Sequence, residues 1–161
     1  MIIRQAREED VRQIAEIVVE DWKIAYSGIM DSDFLDSLSV EQEYQKDLRR
    51  YREYVMAAEG DEVLGFAWNR TMEDETADCE IIALYVRYAR RGGGIGRALM
   101  AHSMAAFREA GKIIMIIWCL RDNHESRAFY ERMGGKADQD GTHRWGDREY
   151  AMISYLYQLD A

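Results

Sequence analysis

The chain offers one stretch whose residue types and spacing point directly to chemistry. In "RRGGGIGRAL", Arg90 to Leu99, four of the five residues from Gly92 to Gly96 are glycine, and a helix-forming run follows. Glycine weakens regular structure by its conformational entropy, so four of them at a helix start need a reason. A helix N-terminus has unpaired N–H groups and a partial positive charge. Stripping side chains from the turn before it lets an anion approach those groups. Arg91 and Arg97 add positive charge to the same place. The stretch therefore reads as a phosphate cradle formed by Arg91, Gly92, Gly93, Gly94, Ile95, Gly96 and Arg97. The other reading is a flexible turn that binds nothing. Two phosphate motifs are excluded by spacing. A P-loop ends in Gly-Lys-Ser/Thr, whereas Gly94, Ile95, Gly96 and Arg97 stand here. A Rossmann fingerprint needs Gly or Ala where Leu99 stands and an acidic residue about 20 positions on, inside an apolar run here.

The elements that must position this turn follow from hydrophobic periodicity. "MIIRQA" reads as a strand. Val11, Ile14, Ala15, Val18, Trp22 and Ala25 recur at helical spacing behind Glu8, Glu9 and Asp10. "SGIM" breaks that helix, and a short helical piece spans Phe34 to Leu38. Ser39 with Gln42 makes a capping box ahead of the stripe Val40, Tyr44, Leu48 and Tyr51. A hairpin turns at Glu59 to Glu62. "EDETAD" reads as a solvated acidic loop, and "CEIIALYV", Cys79 to Val86, as the next strand. The helix after the glycines runs to about Ala110 and stops at Gly111. "KIIMIIWCL" is an all-apolar strand covered on both faces. "RDNHESRAFYERMGG" is a loop and helix stopped at Gly134, and a strand pair beginning near Thr142 ends the chain. The order β-α-α-β-β-β-α-β-α-β-β predicts an α/β fold with a mixed sheet in a single domain, 1–161.

Composition narrows the partners. Thirty acidic and 21 basic residues give a formal net charge of -9, which argues against a nucleic-acid partner. "MIIRQAREEDV" lacks the apolar core of a signal peptide, and "IIMIIWCL" is too short to span a bilayer. No membrane partner is expected. Cys79 and Cys119 read as buried thiols, giving a reducing, cytoplasmic location as the default. His102, His124 and His143 read as surface residues, and no metal-ligand spacing appears.

Two blocks then carry a resemblance. Arg91-x-x-Gly94-x-Gly96 resembles the Q/R-x-x-G-x-G/A motif of the GCN5-related N-acetyltransferases (GNAT). Some 30 residues on, Asn123, Ala128, Phe129, Tyr130, Glu131 and Gly134 are similar to that family's N-x-x-A/S-x-x-F-Y-E-x-x-G block. "DWKIAYSGI" resembles a W-x-x-x-Y-x-G-I pattern of one branch. Two departures stand out: Tyr88 replaces a frequent proline, and Gly93 replaces a frequent lysine.

The resemblance implies a GNAT-like fold with splayed fourth and fifth strands. It also implies acetyl-CoA as cosubstrate, a primary amine of a small molecule or peptide as acceptor, and a homodimer as the partner state frequent in the family. It places the pyrophosphate on the N–H groups from Arg91 to Arg97, with Asn123 and Tyr130 beside the cofactor. It places the pantetheine arm along the backbone at Leu84 and Val86. Tyr130 is implied as the proton donor to the leaving thiolate. Glu80 is implied as the base for the amine; its alternative is an ion-paired strand residue, with Asp33, Asp36 or a water chain next in line. Trp22, Tyr26, Tyr44, Trp68 and Trp145 are expected to wall the acceptor pocket. A non-catalytic acyl-CoA sensor is the competing reading.

Overall fold

The fold is built around a sheet that is continuous at one end and opened at the other. The computed structural model describes residues 1–160. In chain order the elements are β1 (Ile2–Gln5), α1 (Val11–Ala25), α2 (Ser32–Ser37), α3 (Val40–Leu48), β2 (Tyr54–Glu59), β3 (Glu62–Thr71), β4 (Cys79–Val86), α4 (Ile95–Glu109), β5 (Ile114–Leu120), α5 (His124–Arg132), β6 (Lys136–Trp145) and β7 (Arg148–Gln158). The strands form a seven-stranded sheet in the order β1-β2-β3-β4-β5-β7-β6. All neighbours run antiparallel except β4 and β5, which are parallel and joined through α4. Among the described residues no helix is long and apolar enough to cross a membrane.

Strand alternation sends successive side chains to opposite faces. On β2, Tyr54, Met56 and Ala58 meet Ile14, Ile17 and Val18 of α1. Val55 and Ala57 point the other way, to Ile95 and Leu99 of α4. Thus α1 and α4 clasp the same strands from opposite sides. The acidic residues expected at the α1 start instead form a 3-10 turn, Glu8–Asp10, just before it. Buried Asp10 accepts from the Arg7 N–H and from Arg4, tying β1 to this turn.

Local stop and start signals act as their chemistry dictates. Ser39 accepts from the Gln42 N–H at 3.2 Å and starts α3. Gly111 (φ +81°) closes α4, with the Lys112 N–H returning to the Phe107 carbonyl. That is the Schellman pattern, which needs a left-handed residue.

Two regions differ from expectation. Strand β6 begins at Lys136, well before Thr142, and its face is almost wholly exposed. It is the sheet's edge and carries a register shift between Ala137 and Asp140, so its polar residues show no alternation. The acidic loop is also more than a solvated turn. Its last residue, Asp78, accepts from the backbone N–H groups of Ile113 and Ile114 at 3.0 and 3.1 Å. This carboxylate fastens the start of β4 to the start of β5.

Replacing Asp78 with alanine is expected to cost about 1–3 kcal/mol, the usual range for hydrogen bonds to a charged acceptor. Urea unfolding of Asp78→Ala checks this; an unchanged midpoint would show that the ladder alone holds the strand ends together.

Candidate active site

Strands β4 and β5 pair at only two positions, Cys79 with Met115 and Glu80 with Ile116. Beyond them β4 stays paired to β3 as far as Val86, and β5 stays paired to β7 as far as Leu120. From Ile81 to Val86 the β4 edge that faced β5 is therefore unpaired by strand. Backbone N–H and C=O groups left this way demand partners. The gap is a cleft of about 550 Å³, and Leu84 and Val86 line it.

At the far end of the cleft lies the glycine turn. Arg91, Gly92, Gly94, Ile95, Gly96 and Arg97 all line it; Gly93 does not. Gly92 and Gly94 hold φ near +82° and +81°, the left-handed region that side chains resist. Gly94 is the N-cap of α4, and no side chain caps this helix. Its first turn also holds no acidic residue, so its positive end faces the cleft uncompensated.

Arg91 is held from two sides. Its guanidinium bonds the buried Asp21 carboxylate of α1, lies 3.8 Å from Glu125, and stacks over Tyr88. Burial pushes the Asp21 carboxyl up to about 6 despite the opposing pull of Arg91. Asp21 is a cleft residue that the sequence reading missed. Its signal was present: it falls on the apolar stripe of α1, one turn after Ile17 and Val18.

The side wall is α5. Asn123 lines the cleft and also caps α5 by accepting from the Ser126 N–H at 3.2 Å. Tyr130 is 8% exposed and lines the cleft. Burial, then the neighbouring Cys119 and Tyr26, raise its phenol far above the ordinary value, so it keeps its proton. Cys119, on β5, also lines the cleft, and burial pushes its thiol up to about 11, leaving it neutral.

Glu80 is elsewhere. It sits where β4 and β5 are still paired, before the opening, and does not line the cleft. Its carboxylate is 3.3 Å from Arg70 on β3. The splay begins one residue after Glu80, a geometry that favours its alternative reading as an ion-paired strand residue. Asp33 and Asp36 are exposed on α2 and also lie outside the cleft.

A second cavity, of about 440 Å³, adjoins the first. Trp22, Ile82, Ala83, Tyr85 and Trp145 border both. Trp22 donates from Nε1 to the Tyr85 hydroxyl at 2.7 Å and meets Tyr26 and Trp145 edge-on. Tyr26 borders the first cavity and Trp68 the second. Tyr44 borders neither; its half-buried ring takes the Arg12 guanidinium of α1. His143, exposed on β6, stacks on Trp145 at the rim. Tyr85 was missed because its strand gives no sign of which face opens.

Comparison with known proteins agrees with this geometry. Residues 11–135 match the Acetyltransferase (GNAT) family. The chain is 32% identical over 133 residues to YuaI of Bacillus subtilis, named as an uncharacterized N-acetyltransferase, covering 80% of this chain and 76% of that one. It is 29% identical over 136 residues to a probable N-acetyltransferase of Mycobacterium tuberculosis, covering 81% and 76%. Among solved structures, the PaiA N-acetyltransferase of Thermoplasma acidophilum in complex with coenzyme A superposes with a TM-score of 0.79 at 20% identity, covering 97% and 98%. YncA of Salmonella typhimurium, solved with its cofactor acetyl-CoA, superposes with a TM-score of 0.71 at 20% identity, covering 99% and 94%. A glycine turn on an uncapped helix, a strand edge opened beside it and a match over most of the length lead to one conclusion: the chain belongs to the GNAT family of acetyltransferases.

Proposed function

We propose that the protein transfers an acetyl group from acetyl-CoA to the primary amine of a small molecule or peptide by direct attack. The observation that carries this is the cleft itself, which brings three complementary features together. The uncapped α4 terminus with Arg97 offers N–H groups and charge to a pyrophosphate. The unpaired β4 edge offers backbone partners to an amide-bearing arm, in the manner of an added strand. Tyr130 offers a proton beside the same edge.

The chemistry asks these groups for distinct tasks. An N–H on the free edge polarises the thioester carbonyl, a role commonly worth a few kcal/mol. The acceptor nitrogen attacks as the free amine, and desolvation against Trp22 and Trp145 lowers its proton affinity. As the new C–N bond forms and the C–S bond breaks, Tyr130 gives its proton to the departing sulfur, and the proton that the acylated nitrogen sheds returns through water to the Tyr130 phenolate. Burial raises the phenol, but the same burial raises the proton affinity of a thiolate held there, so the two remain matched.

Three outcomes check the proposal. Gly94→Val places a branched side chain where φ is +81° and should weaken acetyl-CoA binding by tenfold or more, an order-of-magnitude figure for blocked charge-assisted contacts. Acetyl-pantetheine, which lacks the pyrophosphate, should lose far less. Equal losses by calorimetry would mean that the turn does not hold phosphate.

Tyr130→Phe keeps the ring and the carbonyl that accepts from the Tyr157 hydroxyl, so folding should persist. Its turnover should fall roughly 10²-fold, the scale of general acid catalysis, while cofactor affinity stays within about twofold. Single-turnover kinetics that match the parent would remove Tyr130 from the chemistry and favour a binding-only acyl-CoA sensor.

Glu80→Gln should give a pH–rate profile that overlays the parent's, because the Arg70-paired carboxylate stands outside the cleft. A turnover loss repaired by raising the pH would return Glu80 to the role of base.

A further inference from the structure

The second cavity ends at a carboxylate with unfinished hydrogen bonding. Asp47 of α3 is 1% exposed. Its Oδ1 accepts from the Tyr54 hydroxyl at 2.6 Å, while its Oδ2 is buried with no hydrogen-bond partner. An unpaired buried carboxylate oxygen is costly. Asp47 and Glu43, one helical turn earlier, both line the cavity. Burial, with Glu43 beside it, pushes the Asp47 carboxyl well above the ordinary range. A buried carboxylate with an unpartnered oxygen, and a second carboxylate one turn away on the same cavity wall, form a place that suits a cationic donor. The basic residues that also line the cavity, Lys46 on α3 and Arg50 just past its end, form no ion pair with Asp47. Lys46 is exposed, and the Arg50 guanidinium lies over the Trp68 ring at 4.7 Å.

The arrangement has a direction. Trp22, Ile82, Ala83, Tyr85 and Trp145 border both cavities, so a nitrogen that reaches the acetyl group lies along that shared wall. Asp47, Glu43 and Tyr54 belong to the second cavity alone, beyond that wall. An ammonium held by Asp47 is therefore a different nitrogen from the one acetylated. Between them the path is lined by aromatic rings, which suit an alkyl chain and a cation alike.

Resting on the acetyltransferase reading, we propose that the acceptor is an aliphatic amine carrying a second cationic nitrogen, which the Glu43–Asp47 pair holds at the far end of the second cavity. Asp47 is then the residue that selects diamines over monoamines. As the ammonium enters, Oδ2 gains the donor that it lacks.

The test compares α,ω-diamines, n-alkylamines and ω-amino acids of matched length as acceptors, with acetyl-CoA as donor. For the parent, the best diamine should exceed its matched monoamine in kcat/KM by about tenfold or more, the effect of one buried charge-assisted contact. In Asp47→Asn that ratio should collapse toward one, while the monoamine value stays within about twofold. The half-buried Glu43→Gln should lower the ratio in the same sense and guards against a folding defect at Asp47. A parent that prefers monoamines, or a ratio that survives Asp47→Asn and Glu43→Gln, overturns the assignment. So does preference for ω-amino acids, which would put a carboxylate against Lys46 and Arg50. Calorimetric titration of the diamine, which needs no turnover, separates this result from failure of the catalytic reading. Asp47-dependent binding without acetylation would sink the transferase and keep the cation site; no binding would sink the site.

Discussion

The structure depends on a single break in backbone hydrogen bonding. Parallel neighbours normally pair along their length, and leaving strand edges unpaired is unfavourable unless something else satisfies them. Here β4 and β5 hold two residue pairs and then part. The opening persists because each strand is fully engaged on its other side, β4 by β3 and β5 by β7. Asp78 fastens the closed end. With one end fixed and the other held apart, the edge of β4 is left free along the cleft. The glycine turn and α5 sit beside it because both follow directly from the C-terminal ends of the parted strands.

Helix α1 couples the two halves of this arrangement. Its apolar stripe packs on β2 and β3, while Asp21 and Trp22 reach the cleft. Asp21 holds Arg91 of the glycine turn, and Trp22 holds the Tyr85 hydroxyl on β4. A buried ion pair contributes little net stability, since desolvation offsets much of the attraction. What it fixes is position: one helix sets both the arginine of the glycine turn and the aromatic wall between the cavities. The raised carboxyl of Asp21 records that cost, with burial outweighing its partner.

The three buried aspartates among the described residues illustrate different solutions to the same problem. Asp10 is satisfied by Arg4 and a backbone N–H, and its carboxyl is lowered even though burial opposes this. Asp21 has one arginine and is raised. Asp47 has one phenol and an oxygen with nothing, and is raised further. The sequence of environments runs from the sheet edge, through the cofactor-side cleft, to the end of the second cavity. Only the last leaves a hydrogen-bonding demand that the chain does not meet itself.

What the sequence determined by itself was whatever rests on local chemistry. The glycine turn ahead of α4, the Ser39 cap and the Gly111 and Gly134 stops need only a few neighbouring residues, so spacing revealed them. The element order was legible for the same reason, since periods of 3.6 and 2 are local properties. Tertiary structure decided what depends on register between distant strands and on which side of a helix meets another. Glu80 and Leu84 are an even number of residues apart, yet a bulge at Ile82 puts them on opposite faces, and only Leu84 lies past the point where β4 leaves β5. Tyr44 and Asp47 share a helix, yet Tyr44 takes Arg12 of α1 while Asp47 borders the second cavity. Strand β6 had no alternating pattern because both its faces see solvent at the sheet edge. Asp21 and Asp47 could be seen as carboxylates on apolar stripes. Whether such a residue is neutralised by the fold or left needing a partner is a question of distances across the chain, and only the packed structure contains them.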